Sequence, residues 1–343
     1  MNICVIVPRD GGVVTGVNTF NDRLAVSLRE LGHTVSLAVS GRPFGFSELG
    51  RMQRKTGCAV LEIYSAAGKP GLPAFLEDVE VQNLARQLQP FDKIFVSGAH
   101  FNYARIIRAA LGRRVFIVEH GNHISPLATN DIEAFKSDNV TTLCVNETHR
   151  QEAIFKGLGD RAVMFDLPIP FGPRAVLPAK DFCVAVGNLE HRKKYERVAE
   201  VAAALKTKCR VFGAAIDPDV LAFVENHPWL EYRGNVTHDI VLNEIAGAAF
   251  LIHMATVEGR PMAVLEAIGL GIFVIVPDTD LYNFVREAPW CVMLDPCRPV
   301  AEQTNSDIDQ CFLAIKSRKA LAKWAHEQYG DANLKKQLAE LLQ

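Results

Sequence analysis

Residues 1–39 read MNICVIVPRDGGVVTGVNTFNDRLAVSLRELGHTVSLAV, and their pattern sets the fold class. Ile3 to Val7 is a continuous apolar run. Such a run suits a parallel strand covered by helices on both faces, where no side chain points to water. From about Val17 to Leu31 the period changes, and Phe20, Leu24 and Leu28 fall four apart on one face of an amphipathic helix. Gly32 stands where a left-handed residue ends a helix, and HTVSLAV returns as the next strand.

The same alternation continues outward. KIFVSG, RVFIVEH and TTLCVN read as strands, with helices near Val79–Leu88 and Tyr103–Leu111. LPIPFGPRAVLPAK, from Leu167 to Lys180, carries four prolines in fourteen residues. Proline removes backbone donors and restricts the residue before it, which predicts an extended linker. The pattern then restarts with FCVAVGN, CRVFGA, AFLIHMA and FVIVP as strands and helices at Tyr195–Leu205, Asp239–Ala248 and Met262–Gly269. Two open, mostly parallel α/β domains are expected, residues 1–170 and 171–320. The helical text after them, residues 321–343, is free to pack back on the first.

Composition bounds the function. A chain of 343 residues is long enough for two cores. Thirty-seven Lys and Arg against 39 Asp and Glu leave a charge of −2, so no global field draws nucleic acid or an anionic membrane. No apolar run reaches the roughly 20 residues of a membrane span, and MNICVIVPRD lacks the basic start of a secretory signal. Cys4, Cys144 and Cys183 sit in strand-like runs, no C-x-x-C occurs, and Cys291 and Cys297 lack partners at zinc spacing. A reduced, cytoplasmic protein is the expectation.

DGGVVTGVNTF follows the first strand and opens the first helix, the edge where doubly wound sheets bind ligands. Gly11, Gly12 and Gly16 permit close backbone approach to a phosphate or sugar; a tight turn is the plain alternative. A P-loop would need Lys-Ser/Thr where Val17-Asn18 stand. A dinucleotide site would need different glycine spacing and an acidic residue near Ser40-Gly41.

The stronger signal is ATVEGRPMAVLEAIGLGIFVIV, residues 255–276. Glu258 lies in a loop after a strand, Gly259, Arg260 and Pro261 form a turn, and Met262 opens a helix. Glu258 and the helix-start N–H groups can meet one polyhydroxyl ligand, and Glu266, about two turns on, can reach another part of it, such as a ribose diol.

The run YRGNVTHDIVLNEIAGAAFLIHMATVEGRPMAVLEAIGLGIFVIVPDTD resembles the donor-binding half of GT-B retaining glycosyltransferases of family 4. VAVGNLEHRKKYERVAEVA is similar to that family's strand and lysine-bearing loop, and in RVFIVEHGNHISP His120 falls at its active-site histidine. The resemblance spans roughly residues 1–290. It implies a GT-B fold, two Rossmann-like domains facing across a cleft, and transfer of a sugar from a nucleotide-diphosphate sugar to a hydroxyl acceptor, with no cofactor and no required metal. Glu258 would lie by the transferred sugar, with N–H groups around Gly259 to Met262 on its hydroxyls. Glu266 would accept from the ribose, Lys193 would neutralise the diphosphate, and His120 would contact a sugar hydroxyl. Gly11-Gly12 would touch the phosphate or sugar, and the base would sit near Arg233, Gly234 and Val236.

Three departures stand out. Asn188 replaces the family's arginine, so one phosphate-facing cation is absent, and Arg192 is placed to compensate. Met254-Ala255 replaces Pro-Ser, and DLPIP replaces the Asn-Gly turn at the end of the first domain. An epimerase or phosphorylase of the same shape, a non-catalytic sugar-nucleotide binder and a phage-type DNA glycosyltransferase are the alternatives.

Other clusters have ordinary readings. Asp217-Pro218-Asp219 and Asp278-Thr279-Asp280 match D-x-D, a metal-binding pattern elsewhere, but read as a helix N-cap and a turn. Glu119, His120 and His123 could suggest a metal site; the sugar contact is preferred for His120. Residues 41–55, with Arg42, Arg51, Arg54, Lys55, Phe44 and Phe46, are basic and aromatic. They read as a solvated loop and helix, with membrane or nucleic-acid contact as the alternative. Acceptor and oligomeric state leave no mark in the text.

Overall fold

The computed structural model describes residues 1–8, 16–41, 52–64, 78–98, 103–120, 132–288, 291–303 and 315–343. The chain divides into two compact units, Met1–Pro168 with Leu334–Gln343, and Ile169–Asn333.

Seven strands build the first sheet: β1 (Asn2–Pro8), β2 (Thr34–Gly41), β3 (Ala59–Tyr64), β4 (Lys93–Ser97), β5 (Arg114–Glu119), β6 (Val140–Cys144) and β7 (Ala162–Met164). Their order is β3-β2-β1-β4-β5-β6-β7, and every pairing among the described strands is parallel. Ile3, Val5, Ile94, Val96, Val115 and Ile117 are wholly buried, as strands sandwiched between helices must be. The first helix, α1 (Gly16–Glu30), buries Phe20, Leu24 and Leu28, the stripe read from their spacing. It ends in a Schellman motif: Gly32 at φ +86° donates to Arg29 O, and His33 donates to Leu28 O.

The second sheet repeats this plan with β8 (Cys183–Val186), β9 (Cys209–Phe212), β10 (Leu230–Gly234), β11 (Phe250–Ile252), β12 (Phe273–Pro277) and β13 (Val292–Leu294), ordered β10-β9-β8-β11-β12-β13. Counted within each unit, both sheets begin 3-2-1-4-5-6, the dinucleotide-fold order. Strand order reverses between β1 and β4 in one unit and between β8 and β11 in the other. Ligands in such sheets bind outside the carboxyl ends of the strands at that switch point. The architecture is α/β with two Rossmann-like units.

Residues 166–180 have no regular secondary structure, yet Leu167 and Ile169 are buried, and Ile169 packs on Gly269. The helical text at the end of the chain forms two helices, Ile315–Tyr329 and Asp331–Leu342, broken at Gly330. There a Cβ would meet His326 O at 2.2 Å. Asp331–Leu342 packs in the first unit through Leu334 and Leu338, an ion pair from Lys335 to Glu30 at 2.8 Å, and Gln337 accepting from the Asp166 N–H. Cys4, Cys58, Cys144, Cys183 and Cys209 are buried free thiols. Burial pushes Cys144 and Cys183 up to about 12, so they act as small hydrophobes. Among the described residues no helix is long and apolar enough to cross a membrane.

Candidate active site

In the second unit, the loops after β8 and β11 leave adjacent strands at the switch point. The β8 loop makes a 3-10 turn, His191–Lys193, then Lys194 in left-handed backbone at φ 53°, which turns the chain into the helix Tyr195–Ala204. Asp217 stands at the N-cap position before Pro218, but its carboxylate accepts from the His191 N–H at 3.1 Å and braces this turn. Gly187 and Gly213 let the ends of β8 and β9 close up. A Cβ on Gly213 would lie 1.9 Å from Gly187 O, and one on Gly187 would meet the Lys193 side chain at 2.9 Å.

The turn delivers two cations to Glu258. Arg192 Nη1 donates to Glu258 Oε1 at 2.8 Å, and Lys193 Nζ reaches the same oxygen. Arg192 Nε is held from the other side by Glu190 Oε2 at 2.5 Å. Burial raises the Glu190 pKa, but hydrogen bonds from Arg192 and Asn188, with the charges of Arg192 and Lys193, hold the carboxyl below its ordinary value. Burial likewise disfavours charge on Arg192, and Glu190 and Glu258 outweigh it, raising its pKa. The neutral Asn188 therefore steadies the carboxylate that steadies Arg192.

Behind the Glu258 loop, Tyr282 Oη donates to Ala255 O at 2.8 Å. That bond uses the hydroxyl proton, so His253 Nδ1 must be the donor in its 2.7 Å contact with Tyr282 Oη. Burial, then the charges of Lys193 and Arg192, push the His253 pKa well below its ordinary value, so the ring is neutral. It carries the loop without adding charge to the site.

Glu258, Lys193 and Arg192 thus come together in one cluster. Gly259 and Pro261 lead into the helix Met262–Gly269, which has no side-chain cap. A ligand oxygen can meet its first N–H groups. Arg260 is buried, with its guanidinium over the Phe284 ring at 4.6 Å and the Tyr329 ring at 5.6 Å. Its side chain anchors the turn, leaving ligand contact to the backbone. Glu266 is buried on the same helix, and Oε1 lies 2.7 Å from His238 Nε2. Arg233 is exposed and paired with Glu231 at 3.0 Å, beside Gly234 and Val236 at the end of β10.

In the first unit, His120 follows β5 and its Nε2 lies 2.9 Å from Ser97 Oγ, which closes β4. The Phe20 ring meets it edge-on at 5.2 Å. Glu119 beside it is buried. Gly11, Gly12 and His123 lie outside the described residues. Of residues 41–55, those at 42–51 do too, while Lys55 pairs with Asp22 at 2.5 Å. Asp278 pairs with Arg286 at 2.6 Å, and Asp280 opens a 3-10 turn. Local pattern missed Glu190, and also Ser97, His238, His253 and Tyr282, whose partners lie 23 to 29 positions away in sequence. Only Glu190 gave a signal, as the carboxylate beside the basic run.

No family model matches the chain, and no curated protein matches its sequence. Solved structures do match. TarM superposes at a TM-score of 0.78 and 9% identity, covering 99% of this chain and 98% of that one. HepE from Anabaena, crystallised with UDP-glucose, gives 0.73 at 15% identity over 100% and 99% of the two chains. AviGT4, a glycosyltransferase involved in avilamycin A biosynthesis, gives 0.67 at 16% identity over 99% and 96%. Over its full length, this chain is similar in fold to GT-B glycosyltransferases.

Proposed function

We propose that the chain is a retaining glycosyltransferase of the family 4 type that uses a nucleoside-diphosphate sugar. The observation that carries this reading is the convergence of Arg192 and Lys193 on Glu258 at the switch point of the second sheet. Two cations and a carboxylate beside an uncapped helix start match a ligand with a diphosphate at one end and hydroxyls at the other. UDP and UDP-glucose in the matching HepE structures support the donor class.

In the proposed reaction the bond between the anomeric carbon and the diphosphate oxygen breaks. The acceptor oxygen bonds that carbon on the same face, and its proton passes to the departing phosphate oxygen. Arg192 and Lys193 stabilise the charge that grows on the diphosphate, which places the main contribution in positioning and electrostatics. Glu258 orients the sugar, Glu266 reads the ribose, and backbone around Arg233 to Val236 meets the base. His120 and the Gly11-Gly12 loop are assigned to sugar and phosphate.

Calorimetric titration with UDP-, GDP- and ADP-sugars, followed by product analysis with hydroxyl acceptors, tests the reading. Binding of one donor, release of its nucleoside diphosphate and a product with the donor's anomeric configuration are expected. Binding without transfer across a broad acceptor screen would replace it with a sugar-nucleotide binder, the outcome that neutral Asn188 favours. Isomerised sugar or phosphate-dependent cleavage would favour an epimerase or phosphorylase.

A further inference from the structure

We propose that His238 is a positioning residue that aims Glu266 at the ribose of the bound nucleotide, so that nucleotide recognition depends on a His–Glu pair. The inference rests on the proposed function and deepens it. Glu266 lies in the second turn of the helix Met262–Gly269, with its side chain only 6% exposed. A buried carboxylate requires a hydrogen-bond donor, and His238 Nε2 lies 2.7 Å from Oε1. An ionised carboxylate only accepts, so Nε2 carries the proton.

Position argues for a ligand role. His238 is the first residue of the helix His238–Gly247, which follows β10, and its side chain remains 28% exposed. The pair therefore runs from the interior of the unit to solvent, along the segment that follows the proposed base contacts at Arg233 to Val236. With Oε1 engaged by His238, the carboxylate plane is fixed and Oε2 is left to accept from a diol. Without that donor the carboxylate loses its orientation, and a charge-assisted bond to the ribose weakens.

The test uses whichever of uridine, guanosine and adenosine diphosphates binds best, together with its 2′,3′-dideoxy counterpart. Calorimetry on the full chain gives an affinity ratio for wild type, His238→Ala, His238→Gln and Glu266→Ala. Because each ratio compares two ligands on one variant, a general loss of stability cancels. Wild type is expected to favour the ribonucleotide by about tenfold or more, the size of a hydrogen bond to a charged group. His238→Ala should shrink the preference to about threefold or less, as should Glu266→Ala, while His238→Gln, which can still donate to Oε1, restores it. A wild-type ratio in His238→Ala beside a lost ratio in Glu266→Ala overturns this role and leaves the proposed function standing. A wild type blind to the ribose hydroxyls removes the Glu266 assignment itself, and this inference with it.

Discussion

Arg192 and Glu258 meet at 2.8 Å although 66 positions separate them, because β8 and β11 are neighbours in the sheet. The contact joins the loop that carries the cations to the loop that carries the carboxylate. Glu258→Gln keeps the shape and removes the charge, so nucleotide affinity should change less than about threefold while turnover falls about tenfold or more. Lys193→Ala should weaken nucleoside-diphosphate binding by about tenfold. Titration and initial rates on the same preparations check both; wild-type behaviour in the two variants would remove the site.

His253 makes acid stability a property of the site's foundation. Its folded-state pKa lies well below its ordinary value, so the unfolded chain takes up the proton first. The stability contributed by keeping His253 neutral is therefore present above about pH 6.5 and is lost as pH falls toward the folded pKa. His149 and His326 are depressed in the same sense, so the informative quantity is a difference between proteins. His253→Gln should lose less stability than wild type between about pH 7 and 5 in urea melts. Parallel curves would show that His253 titrates as in the open chain.

Arg318 is buried and has no carboxylate partner among the described residues. It donates to Gly271 O at 3.0 Å, Leu177 O at 2.8 Å and Ala248 O at 3.1 Å, and burial lowers its pKa to about 10. Its charge sits at the carboxyl ends of the helices His238–Gly247 and Met262–Gly269, where the backbone dipole favours a cation. Arg318→Met keeps most of the packing but orphans the carbonyls, and should cost about 2–4 kcal/mol. A drop in Tm smaller than a few degrees would refute that estimate.

Lys194 holds φ 53° without being glycine. Left-handed backbone costs a side-chain-bearing residue about 1 kcal/mol, so Lys194→Gly should raise the melting temperature by a few degrees. A lower melting temperature would mean that the Lys194 side chain contributes more than the strain it imposes.

Nine strands were legible in the sequence, and the other four share a trait. β3, β7, β10 and β13 are the outermost strands of the two sheets. β7 and β13 have only three residues, and β10 alternates between cover and exposure. A strand at a sheet edge is covered on fewer sides and tolerates charge, so Glu62 interrupts the pattern of β3, and Glu231 and Arg233 that of β10. The site shows the same division. Glu258, Glu266 and Lys193 stood out because their loop-and-helix setting is local. His238 could not, since its partner lies 28 positions on, and its own neighbourhood reads as an ordinary helix start.

The division of the chain into Met1–Pro168 with Leu334–Gln343 around Ile169–Asn333 also sets an order of assembly during synthesis. The second unit is contiguous, so every segment it needs has been synthesised before Leu334 is added. The first unit begins earlier but waits for the helix Asp331–Leu342, and with it the Lys335–Glu30 and Gln337–Asp166 contacts, until residues 334–343 are made. The first unit therefore closes after the second is fully made, and until residues 334–343 are added the surface that Leu334 and Leu338 cover stays open.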